Sequence, residues 1–136
     1  MLHILWDAWV HERDILLPLG RRHDSPVVES SATAAYGLTL ASCMPVMFEG
    51  TPLNESVALA GDGGGMFRIE TDDDKITTTV ADGDSDASNA EPLSGALADV
   101  VDSLVGRGSE LTEVLRRPPA RVNRLGMLRA FMLLVS

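Results

Sequence analysis

The chain has 136 residues, of which 45% are apolar and only 4% aromatic, and its formal net charge is −9. That length suits one ordinary domain, or a small domain with an appendage, with a core built from Leu, Val, Ala and Met. The acid excess argues against general nucleic-acid binding and against docking on anionic lipid, since both rely on clustered Lys and Arg.

The first element predicted is a helix of roughly 16 residues, because Leu2, Leu5, Trp6, Trp9, Val10 and Leu16 recur near the helical period. It meets the start of the chain without an N-cap and stops before Pro18 and Gly20. Its two tryptophans and its leucines call for partner helices, which points to a chain truncated at its start. Ser25 before Pro26 reads as an N-cap with proline in the first helical position, opening a second helix toward Cys43 that Pro45 kinks or ends.

The middle reads as an antiparallel meander of about three strands. Residues 56–60 form the first strand, and the glycine-rich run 61–65 supplies the positive φ angles of a hairpin. Phe67, Ile69 and Thr71 alternate with Arg68 and Glu70 in the second, and 76–80 is threonine-rich and β-branched. A polar loop covers 81–90. Leu93, Leu97, Val100, Val101 and Leu104 then mark an amphipathic helix ending at Gly106. Ser109 N-caps a short helix to about Leu115, Pro118-Pro119 breaks the chain, and a last helix spans about 122–132. The fold class is therefore α+β: a small antiparallel sheet with helices packed on it, preceded by one extra helix.

Asp7 and His11 are four residues apart, so a helix places them on one face. There they either form a carboxylate–imidazole hydrogen bond or supply two ligands to a divalent metal. Asp14, three residues beyond His11, can orient the imidazole, pair with Arg13 or Arg21, or stay solvated. Arg107 lies between Gly106 and Gly108 at a helix end. It either reaches a carboxylate with its planar fork or caps the preceding helix.

Other motifs are bland. The glycine run lacks the Gly-Lys-Ser/Thr of a phosphate loop, and 82–86 lacks the glycine and final glutamate of a calcium loop. Cys43 in an apolar helix reads as a packing residue, and His3 and His23 as surface or packing histidines. The single cysteine excludes an internal disulfide. With no signal peptide evident, and the longest apolar run (131–135) too short to cross a bilayer, a cytoplasmic location is expected.

The string Leu5-Trp6-Asp7-Ala8-Trp9-Val10-His11-Glu12-Arg13-Asp14-Ile15 resembles the end of the metal-binding domain in mycothiol-dependent maleylpyruvate isomerase-like proteins. Residues 97–107, ending in Val-Gly-Arg, resemble that family's sterol-carrier-like C-terminal domain. The resemblance implies two parts. Residues 1–20 would be the last helix of a truncated DinB-like four-helix bundle, and 24–136 the α+β C-terminal domain. It implies His11 and Asp7 as metal ligands, with Asp where the family has Glu, and Arg107 as a catalytic residue facing the active site. It also implies zinc or another divalent metal, mycothiol as the thiol cofactor, and a small-molecule substrate such as an unsaturated diacid. The first metal-binding His of the family has no counterpart. The alternative expectation is a non-catalytic ligand-binding module, or an oligomerisation module with an exposed tryptophan helix as its handle. Oligomeric state is left open by the sequence.

Overall fold

The computed structural model describes residues 1–50, 52–73, 75–81, 92–109 and 111–115, with backbone alone at 44, 45, 48, 49, 111 and 112. The expectations for the acidic loop at 82–90, for Pro118-Pro119 and for the helix at 122–132 lie outside the described residues. Within them the architecture is α+β. Helices α1 (Leu2–Leu16) and α2 (Val27–Glu49) precede strands β1 (Asn54–Ala60), β2 (Gly65–Asp72), β3 (Lys75–Ala81) and β4 (Leu93–Ala96). Helix α3 (Leu97–Leu104) and the single turn α4 (Leu111–Val114) follow.

The sheet order is β3-β2-β1-β4. Strands β1, β2 and β3 form the antiparallel meander expected from the alternation, with Val57 opposite Phe67 and Phe67 opposite Val80. The fourth strand corrects the sequence reading: β4 pairs with β1 in parallel, placing Leu93 beside Val57, so the sheet is mixed. Leu93 has helical spacing with Leu97, four residues on. Its backbone instead completes the ladder of β1, and the helix starts only at Leu97. One face of the sheet buries Val57, Leu59, Phe67, Ile69 and Leu93. This is the one-sided burial that strict alternation encodes.

Helix α1 packs into this core and does not stand apart from it. Trp6, Trp9 and Val10 are buried in the same cluster as Leu38 of α2, Phe67 of β2 and Val100, Val101 and Leu104 of α3. The partners that the tryptophans call for are thus α2 and α3, and the exposed tryptophan handle is not present. Small residues on α2, Ala34 and Ala41 among them, let the neighbouring elements approach closely.

Two helix boundaries differ from expectation. Ser25 does not cap α2: its hydroxyl turns to the Pro26 carbonyl at 3.5 Å, and Pro26 O accepts the first helical bond, from Ser30 N. Of the two outcomes expected at Pro45, a kink or an end, the end does not occur: the helix runs on to Glu49. A proline removes only one backbone donor, and core packing of the preceding turns outweighs that loss. Helix α3 ends as predicted at Gly106, whose φ is +75°. Gly106 N donates to Ser103 O and Arg107 N to Asp102 O, the paired bonds of a Schellman end.

Candidate functional site

Helix α1 carries the sequence-predicted ligands on its outer face. His11 Nε2 lies 3.4 Å from Asp7 Oδ1, and the two side chains are 63% and 57% exposed. On the other side of the same imidazole, Nδ1 lies 3.6 Å from Asp14 Oδ2. The helical spacing alone produces this row, since residues at i, i+4 and i+7 share a face.

Asp14 is held by Arg107, not by Arg13 or Arg21. Arg107 Nε meets Asp14 Oδ1 at 2.5 Å, and Nη2 donates to Oδ2 at 2.6 Å. The Schellman end of α3 makes this reach possible, because it turns the chain so that Arg107 leaves the helix toward α1. Both readings of Arg107 thus have a structural basis: its Nη1 donates to the Val105 carbonyl at the helix end at 3.5 Å, and its fork holds a carboxylate. That carboxylate belongs to the chain itself, so the guanidinium face that would receive a substrate is engaged. Asp7, His11, Asp14 and Arg107, the last some 93 positions from Asp14, form one continuous polar row.

A second bidentate pair runs the opposite way between the same elements. Arg13 Nε donates to Asp102 Oδ1 at 2.9 Å and Nη2 to Oδ2 at 2.5 Å. The Arg13 guanidinium carbon also stands 5.0 Å from the centre of the Trp9 ring, one turn back on α1. These crossed Arg–Asp pairs fasten α1 to α3.

As a test of fit to a divalent ion, the Asp7–His11 separation is suitable: ligands of a tetrahedral ion with bonds of about 2.1 Å stand roughly 3.4 Å apart. Among the described residues the set is limited to those two donors. Asp14 faces the opposite ring nitrogen and is already bound by Arg107, and among the described residues no group of three or more His, Cys, Asp or Glu converges. Further coordination positions would fall to water or to donors outside the described residues.

The histidines expected to be bland differ from one another. His3 Nδ1 lies 3.1 Å from the Tyr36 hydroxyl at the edge of the core. The His23 side chain is only 2% exposed, meets the Trp9 ring edge-on with centroids 4.8 Å apart, and places Nε2 3.1 Å from Glu12 Oε2. Sequence reasoning missed this burial, because nothing about a polar loop between two helices marks one of its residues as enclosed. Cys43 is half-buried and donates weakly to Thr39 O at 3.4 Å, and burial raises its thiol pKa. This is an inert setting rather than that of an activated nucleophile. No helix of the described residues is long and apolar enough to cross a membrane. No family model, curated protein or solved structure matches this chain.

Proposed function

We propose that the chain is the C-terminal portion of a thiol-dependent metalloenzyme of the mycothiol-dependent maleylpyruvate isomerase-like type, in which Asp7 and His11 are two of the ligands to a divalent metal. The observation that carries this reading is the exposed Asp7–His11 pair, with a 3.4 Å separation that suits two ligands of one ion. A divalent ion there would lower the pKa of a bound water or thiol. Arg107 enters the proposal in a changed role. It positions Asp14, and Asp14 in turn faces the His11 Nδ1 edge, as an outer carboxylate does for a metal-bound imidazole.

The test is elemental analysis of wild-type, Asp7→Asn and His11→Ala proteins after equilibration with zinc and exhaustive dialysis. Retained zinc in the wild type that falls in both variants supports the reading. Equal and negligible metal in all three removes it. A second reading, a non-catalytic ligand-binding module, is favoured by one observation: the tryptophan helix closes this chain's own core and leaves a cleft beside Trp9.

A further inference from the structure

That cleft lies on the side of α1 away from the Asp7–His11 pair, since Trp9 is two positions on from Asp7 and so about 200° around the helix. Its volume is about 280 Å³. It opens at the carboxyl ends of the two parallel strands, where β1 ends at Ala60 and β4 passes directly into α3. In open parallel sheets, ligands bind at the carboxyl ends of the strands, where the following helix aims its free N–H groups; in this mixed sheet the one parallel pair presents that arrangement at the β4–α3 junction.

The first turn of α3 borders the cleft through Ala96, Leu97 and Ala98. Ala96 occupies the N-cap position and provides no side-chain cap. Asp99, the acid of that turn, borders a different hollow. Two enclosed side chains also line the cleft with unused hydrogen-bonding capacity. Ser30 is 5% exposed, and its hydroxyl makes no hydrogen bond among the described residues. His23 uses Nε2 on Glu12, leaving Nδ1 without a partner among the described residues. Trp9 also lines the cleft, is 4% exposed, and has its Nε1 buried without a hydrogen-bond partner among the described residues. Buried polar groups are ordinarily paired, so an unpaired buried N–H beside two side chains open to the same cavity points to a polar occupant.

The charges indicate its class. Arg13 and Arg22 line the cleft, but Arg13 is bound by Asp102 and Arg22 faces Asp24 at 3.6 Å. The positive character left over is the partial charge of the helix end, which suits one negative charge rather than two. Asp62 also lines the cleft and has no ion-pair partner among the described residues. Asp24 is itself a lining residue, set against Arg22, so one weakly positive pole and one unpaired carboxylate remain, and these match a zwitterion.

We propose that this cleft binds a small zwitterion of the α-amino-acid class, with its carboxylate against the first turn of α3 and Ser30, and its ammonium toward Asp62. The inference deepens the ligand-binding reading and is independent of the metal reading.

The test is an NMR titration of isotope-labelled full chain with alanine, sodium acetate, methylammonium chloride and inorganic phosphate in parallel. Alanine is expected to give saturable shifts at the amides of Ala96–Ala98, Ser30 and His23. Acetate should move the same amides with at least severalfold weaker affinity. Ser30→Ala should weaken alanine binding roughly threefold to tenfold, the loss of one hydrogen bond. Asp62→Asn should weaken alanine binding and leave acetate binding unchanged. Unmoved amides with alanine, acetate binding as tightly as alanine, or phosphate binding more tightly than either would each overturn the proposal. The wild-type titrations decide the matter even where a variant loses its fold.

Discussion

Asp102→Ala is expected to be far more damaging than Asp14→Ala, although each breaks one bidentate Arg–Asp pair between α1 and the end of α3. The difference lies in solvent. Arg13 and Asp102 are 12% and 19% exposed, whereas Asp14 and Arg107 are 34% and 38% exposed. Removing one member of a fully buried pair costs about 3–5 kcal/mol, because the other charge is left without compensation. An exposed pair contributes about 0.2–1 kcal/mol. Scaling between these limits gives about 2–3 kcal/mol for Asp102→Ala, after allowing roughly half a kcal/mol for alanine's better helix propensity. The same scaling gives about 0.5–1 kcal/mol for Asp14→Ala. For a domain of this size the first loss corresponds to a Tm drop of roughly 6–12 °C, and the second to only about 2–4 °C. Urea unfolding at low and high salt provides the assay. The Asp14→Ala effect should shrink in high salt through screening, while the Asp102→Ala effect should persist. Equal losses in the two variants, or an Asp102→Ala loss that salt erases, would refute the assignment of Arg13–Asp102 as the inner fastener.

Gly63→Ala should destabilise by about 2–4 kcal/mol, against about 1 kcal/mol for Gly61→Ala, as read from urea midpoints. Both glycines have positive φ, but only at position 63 would a Cβ fall 2.6 Å from the Val27 carbonyl oxygen, where backbone cannot yield. Phe67→Ala, at the centre of the sheet's covered face, should cost about 3–5 kcal/mol in the same assay. Cys43 should react with iodoacetamide near neutral pH more slowly than free cysteine, and at the free rate once urea has unfolded the chain. Because burial raises the thiol's pKa in the folded state, its contribution to stability is complete below the ordinary thiol range and is lost as pH rises through the folded-state value. A stability that instead rises across that alkaline window in wild type relative to Cys43→Ser would contradict the sign.

The local rules of the sequence determined most of the elements. The 3.6-residue recurrence from Leu2 to Leu16 specified α1, and the alternation around Phe67 and Ile69 specified β2 and its buried face. The glycines at 61–65 specified the hairpin, and Gly106 the end of α3. The nearness of Asp7 to His11 was equally legible, since it depends only on one turn of helix. All of these depend on residues close together in the chain, where backbone geometry and side-chain periodicity act directly.

What the tertiary structure decided depends on residues far apart. Leu93 spaces correctly for a helix with Leu97, but a parallel ladder with β1 takes its backbone, and no local pattern announces a four-residue strand. Pro45 is tolerated because packing, not propensity, carries α2. Arg107 finds Asp14 and Arg13 finds Asp102 across gaps of about 90 residues, and His23 is enclosed by Trp9 and Glu12. A charged side chain carries no mark of which distant partner it will meet. Periodicity says which face of an element is apolar, and only the packing of those faces against one another decides which polar groups end up side by side.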